Sequence, residues 1–266
     1  MDWWTSIFPD GLQYVKIEAA SGQPVAIAYG EVGSGPPLLL VHGLGVWSHC
    51  WREVIPALAQ QYRVICFDSL GSGYSDAPQY SAQCPAQTGH QVVELARIIE
   101  ALCDRPAILV GESLGGLASL GVTIDYPHLV ERLVVINAAV FPQKLPSATM
   151  RFLAAVPQPL VEAADRYRLM KRLQPLAKRV VRLSNRQVIA PQTVKPRTVN
   201  ASAHPYLERR GPLSCFARDL KLALSDIEQY LQGEDCFTTR LHQRLGAIAQ
   251  PTLVLWGEAD SWFPVA

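Results

Sequence analysis

The chain has no apolar stretch of about 18 residues, so nothing in it is expected to span a membrane as a helix. Nor does it have cysteines at pairing distance in sequence. The six, at 50, 66, 84, 103, 215 and 236, form no C-x-x-C and have no histidine at zinc-ligand spacing. That excludes the common zinc and dithiol motifs and leaves reduced thiols, with Cys66 and Cys103 as small core residues inside apolar runs. The opening Met1-Asp2-Trp3-Trp4-Thr5 carries an early acid and no long apolar core, so no secretory signal is expected there. Net charge is only +1, so the total points to no nucleic-acid partner. There is no internal repeat and no low-complexity tract. Together these absences point to a soluble cytoplasmic protein. Apolar residues make up 49% of the 266, enough to bury a sheet between helices in one large domain or one domain with an insertion.

Short β-rich runs alternate with helical ones. Residues 14–19 and 25–29 read as a pair of strands joined by a Ser21-Gly22-Gln23-Pro24 turn, hence a hairpin. Leu38-Leu39-Leu40-Val41 is an unbroken apolar run, as a strand covered on both faces requires. Residues 63–67, 107–110, 133–136 and 252–256 read as further strands. Apolar spacing predicts helices over 51–60 and 92–103. The alternation implies an α/β fold with a mostly parallel sheet and helices on both faces.

From residue 141 the alternation stops and the chain reads as helical. The economical division is a core over 1–140, a helical cap over 141–220, and the core resuming over 221–266. Charge follows that division. Residues 141–220 hold 15 Lys and Arg against 4 Asp and Glu, while the remainder holds 9 against 19. A basic cap thus offsets an acidic base. Solvated helix faces and attraction between cap and base account for the pattern. The sharper alternative is a weak contact, over 166–186, with an anionic substrate or an anionic membrane surface.

Two segments carry chemistry. Val110-Gly111-Glu112-Ser113-Leu114-Gly115-Gly116 follows a buried strand and opens a helix. A turn that sharp crowds its flanks, so only very small residues fit at 111 and 115, and Ser113 is forced into a strained conformation that lifts its hydroxyl clear. The helix that follows aims free N–H groups at the site. Val41-His42-Gly43-Leu44-Gly45 ends an earlier strand, and its glycines let backbone N–H groups turn inward. The amides of Leu44 and Leu114 are the expected oxyanion donors. His42 starts a turn and reads as a structural residue of that loop.

With these pieces in hand the chain resembles the α/β-hydrolase fold family. The matching segments are His42-Gly43-Leu44-Gly45, Asp68-Ser69-Leu70-Gly71-Ser72-Gly73-Tyr74-Ser75, the turn around Ser113, and Trp256-Gly257-Glu258-Ala259-Asp260, in family order over essentially the whole chain. The resemblance implies Ser113 as nucleophile, Asp260 as the acid of a triad, and the helical insertion as a cap. The 68–75 loop reads as a structural turn, and Asn137 stands where some relatives keep an acid. A serine at 113 argues against members that attack through a carboxylate, the dehalogenases and epoxide hydrolases. Serine members cleave esters, thioesters, amides or particular carbon–carbon bonds. The implied function is therefore a serine hydrolase acting on a carboxylic ester or related acyl substrate, a small molecule. A carbon–carbon bond hydrolase and a non-catalytic remnant or binding protein are the alternatives. No metal and no organic cofactor is implied, and the oligomeric state is open.

One family element has no match. The family places its catalytic histidine after one more helix and strand beyond the acid. The histidines here, 42, 49, 90, 128, 204 and 242, all precede Asp260. The expectation is a chain lacking the C-terminal strand, the catalytic histidine and the last helix, with 252–256 left as an apolar sheet edge and catalysis impaired. Recruitment of His204 from the cap is the alternative.

Overall fold

Residues 3–80, 88–138, 140–144, 148–188, 196–258, 260 and 263 are described by a computed structural model. Their strands are β1 (Gln13–Glu18), β2 (Pro24–Val32), β3 (Pro37–Val41), β4 (Arg63–Phe67), β5 (Ala107–Glu112), β6 (Val130–Ile136) and β7 (Thr252–Leu255). They form one sheet in the order β1-β2-β4-β3-β5-β6-β7. β1 and β2 pair antiparallel, as does β2 with β4, and every later pairing is parallel.

The central strands show why this arrangement is stable. All five residues of β3 are buried. Leu39 and Val41 point to one face, where they meet Ile65, Leu109 and the helix α3 (His90–Leu102) through Val92, Leu95 and Ile99. Leu38 and Leu40 point to the other, against Trp4, Phe8, Trp47, Trp51 and Ile55. The period-two alternation of a strand thus feeds two apolar layers, the reason β3 carries no polar residue.

The second layer contains an element that pattern reading did not find. A short N-terminal helix, α1 (Trp3–Ile7), brings Trp4 to full burial, with Phe8 just beyond it. A second difference is local. The spacing over 51–60 predicts one helix, but the chain forms a single 3₁₀ turn over Ser48–Trp51, then turns, then forms α2 (Ile55–Leu58). Pro56 is the cause. It has no N–H to give to Arg52, so a helix cannot run through it, and it sits instead in the first turn of a new one.

After β5 comes α4 (Leu114–Asp125), and between β6 and β7 lie α5 (Ala148–Ala155), α6 (Gln158–Arg166), α7 (Leu169–Arg172), α8 (Gln174–Val188), α9 (Pro196–Glu208), α10 (Pro212–Leu231) and α11 (Phe237–Gln243). No strand interrupts them among the described residues. α10 is continuous across 220, where the sequence division placed the end of the cap.

Two buried aspartates tie this helical region together. Asp165, at the end of α6, accepts hydrogen bonds from the Gly211 and Ser214 amides at 2.9 and 3.0 Å and from the Ser214 hydroxyl at 2.6 Å. It thereby satisfies donors left open at the start of α10. Asp226 does the same for α11, accepting from the Phe237 amide and the Thr238 hydroxyl. Asp165→Ala is expected to lower unfolding stability by about 2 kcal/mol, read from the denaturant midpoint. An unchanged midpoint would mean that the α6–α10 junction does not depend on this carboxylate.

β7 is the outermost strand at its side of the sheet, and Leu253, Val254 and Leu255 are 53, 61 and 43% exposed. The apolar edge expected from the sequence is present in the described residues. No described helix is long and apolar enough to cross a membrane. The five described cysteines are free thiols; Cys84 lies outside the described residues.

Candidate active site

β3, β5, β6 and β7 are neighbours in the sheet and run parallel, so the segments that leave their C-terminal ends meet above it. Those segments are 42–45, 113–114, Asn137, 256–258 and Asp260. Fold topology alone thus gathers the candidate residues, which are far apart in sequence.

Ser113 sits between β5 and α4 with φ 54° and ψ −120°, a conformation that a non-glycine residue adopts at a cost of about 1–3 kcal/mol. It is held there from two sides. Its amide donates to the Ile136 carbonyl at 2.9 Å, and its carbonyl accepts from the Leu117 amide. The flanks leave no room to relax. A Cβ at Gly111 would lie 2.5 Å from the Ser119 hydroxyl, and one at Gly115 would collide with the Val41 carbonyl oxygen. The crowding anticipated for these two positions is therefore present.

The 42–45 loop closes on the turn. A Cβ at Gly43 would stand 2.5 Å from Glu112 Oε2 and 2.9 Å from Ser113 Cβ. Glycine here lets the Gly43 amide donate to Glu112 at 3.1 Å. His42 holds the base of the loop. Its Nε2 accepts from the Ser69 amide at 2.9 Å, which leaves the proton on Nδ1 to donate to the Gly43 carbonyl at 2.8 Å. Burial lowers its pKa to about 4, so the ring is neutral with both nitrogens engaged. It is a structural residue. The Gly43 amide is committed to Glu112, while Leu44 and, at the start of α4, Leu114 line the same cavity as Ser113.

Asp260 is fixed by its neighbours. Its carboxylate accepts from the Asn137 side-chain amide and, at 3.0 Å, from the Phe263 amide. Asn137 also accepts from the Gly257 amide at 3.1 Å. Its φ of 47° bends the chain just past β6 and aims it at this turn. Asn137 is thus a clamp on the segment that carries Asp260, a role the sequence did not reveal.

Glu112 is the other residue that pattern reading passed over. Burial raises its pKa to about 7; the Gly43 hydrogen bond opposes that rise and the charge of Asp260 adds to it. A carboxyl whose folded pKa lies above its unfolded one stabilises the fold below the unfolded value and loses that contribution as pH rises through the folded one. Wild type should therefore lose stability between about pH 5 and pH 8 at this group. Glu112→Gln keeps an acceptor for Gly43 and cannot ionise. Relative to wild type it should gain about 2–3 kcal/mol over that window in urea titrations. Parallel pH profiles for the two proteins would contradict this.

Ser113, Leu44 and Leu114 line one open cavity, about 860 Å³ with the solvent at its opening included, walled mainly by apolar side chains such as Leu117, Met150, Leu220, Leu224 and Ile227. α4, α5 and α10 all contribute to its lining. A second cavity of about 520 Å³ adjoins it, sharing Leu44, Gln91, Leu114 and Ala118 and reaching Ser69, Glu94 and Asp219. Among the described residues no histidine lines the cavity that holds Ser113. His204 lies instead against Tyr74, its Nδ1 3.3 Å from the phenol oxygen. The 68–75 loop is the structural turn anticipated. Buried Asp68 receives the Ser48 and Tyr74 amides at 2.8 and 2.7 Å. No described cluster of His, Cys, Asp and Glu could hold a metal ion.

A mostly parallel sheet with this strand order and a strained serine between β5 and α4 defines an α/β hydrolase architecture. The chain belongs to the alpha/beta hydrolase fold family, whose model matches residues 36–266. It is 24% identical to Epoxide hydrolase 4 of Mus musculus over 269 aligned residues, covering 95% of this chain and 67% of that protein. It is 39% identical to the 2-hydroxy-6-oxo-2,4-heptadienoate hydrolase of Pseudomonas putida over 115 residues, covering 41% of this chain and 39% of that one. The second match thus spans well under half of the relative. In structure it is similar to an alpha/beta hydrolase fold protein from Burkholderia ambifaria, with a TM-score of 0.68, 22% identity, and 94% and 82% of the two chains covered.

Proposed function

We propose that the chain is a serine hydrolase of acyl substrates, with Ser113 as nucleophile, the Leu44 and Leu114 amides as oxyanion donors and Asp260 as the acid that would orient a base. The observation that carries this reading is the strained conformation of Ser113 in the lining of an apolar cavity that Leu44 and Leu114 also line. Attack on a carbonyl there places the developing negative charge at the N-terminus of α4. The apolar wall suits an acyl group with substantial hydrocarbon surface, and the helices of 141–220 would act as its cap. The absence of a histidine around Ser113 among the described residues makes the reaction slow. Serine near its ordinary pKa attacks poorly without a base.

A carbon–carbon bond hydrolase is the second reading, favoured by the partial match to the heptadienoate hydrolase. Mixing the chain with p-nitrophenyl acyl esters and, separately, with 2-hydroxy-6-oxo-2,4-heptadienoate distinguishes the two. The first reading expects an acyl adduct on Ser113 from the esters and no turnover of the dienoate. Turnover of the dienoate without ester chemistry would favour the second. No reaction with either would leave a binding protein.

A further inference from the structure

Residues 166–207 contain ten Lys and Arg and no Asp or Glu. Two of these cations, Arg168 and Lys171, share the one carboxylate of Glu208 just beyond the run. Among the described residues Arg166, Arg172, Lys178, Arg179 and Arg182 make no ion pair.

The same segment carries two apolar faces. One is packed: Met170, Ala177 and Val181 meet Ala203 and Leu207 of α9. The other is turned to solvent. Leu169 in α7, Leu173 at the junction and Leu176 in α8 are 38, 52 and 57% exposed. Tyr167 beside them is 62% exposed. A helix with one packed apolar face has no need of a second for folding. An outward stripe of leucine flanked by unpaired arginine is the pattern of a segment that lies in the plane of a lipid interface.

We propose that α7 and α8 dock the protein on an anionic bilayer surface. The leucines and Tyr167 enter the headgroup boundary, while Arg172 and Arg179 sit against lipid phosphates and carboxylates. The uniform sign of the segment selects an anionic surface, and the apolar stripe selects a bilayer over a dissolved polyanion. This docking is independent of the chemistry at Ser113, and Ser113→Ala should bind vesicles as wild type does.

The test is co-sedimentation of the 266-residue chain with vesicles of phosphatidylcholine alone and of phosphatidylcholine with phosphatidylserine. Binding is expected only to the second and should weaken as salt is raised. Arg172→Gln with Arg179→Gln should lower partitioning by roughly 25-fold, about fivefold for each cation. Leu173→Ser with Leu176→Ser should lower it by about tenfold or more. Lys16→Gln with Arg105→Gln, exposed on the core, should leave it unchanged. Circular dichroism melts establish that each variant is folded. The proposal is overturned by equal binding to both vesicle types or by binding to neither. It is also overturned if the arginine pair matters and the leucine pair does not, which would mark a site for an acidic protein or nucleic acid.

Discussion

Imidazole added to the solution is expected to speed ester cleavage by the 266-residue chain, and Ser113→Ala is expected to abolish that acceleration. Ser113 has the strained backbone, the cavity and the neighbouring amides, but no histidine around it among the described residues. In triad enzymes an incomplete set leaves only the catalysis of oxyanion hole and binding, about 10³–10⁴ over water. A positioned base contributes typically about 10²–10⁴. A small base diffusing into an open cavity of about 860 Å³ should recover part of this, on the order of 10²-fold at high concentration. Imidazole also cleaves activated esters directly, so the Ser113→Ala protein supplies the background. If imidazole accelerates both proteins equally, the hydroxyl of Ser113 takes no part.

Gly115→Ala should be strongly destabilising. The added carbon would collide with the Val41 carbonyl oxygen and stand 2.5 Å from that of His42. Both are backbone atoms of β3 and its exit, with Val41 paired to β5, and neither can swing aside as a side chain could. Relief requires α4 to move away from the sheet or Ser113 to leave its position. The expected loss of stability is upwards of about 3 kcal/mol, read from denaturant unfolding. Whatever protein remains folded should also react about 10²-fold more slowly with acylating probes, the scale set by a 1 Å misplacement. A Gly115→Ala protein as stable and reactive as wild type would mean that the close approach of β3 and α4 is not tight.

How far these features could be read in advance depends on how local they are. The Ser113 turn is encoded within seven residues, because strand, small flanks and helix must all lie beside it. The strands of the parallel sheet were likewise legible, since burial on both faces forces continuous apolar runs such as 38–41. Glu112 and Asn137 were not. The raised pKa of Glu112 arises from its burial beneath the 42–45 loop and from Asp260, with Gly43, its hydrogen-bond donor, 69 residues away. None of these leaves a mark in the pattern around residue 112. Asn137 could be read only as a position without a charge, when its use is to hold the Asp260 segment with both ends of its amide. The N-terminal helix escaped notice because five residues give too little periodicity, although two consecutive tryptophans were a sign of burial. The helix expected over 51–60 failed on a single residue, Pro56. The mapping of 141–188 as helical needed only composition, but which leucines face outward needed the packing of α8 on α9.

The most direct test of Ser113 as nucleophile is incubation of wild type and Ser113→Ala with a fluorophosphonate over a range of pH, followed by peptide mass mapping. One adduct is expected, on Ser113 alone, forming slowly in wild type and absent from the alanine protein. An adduct on another residue, such as Ser69 or Ser72 in the adjoining cavity, or no adduct at any pH, would contradict it.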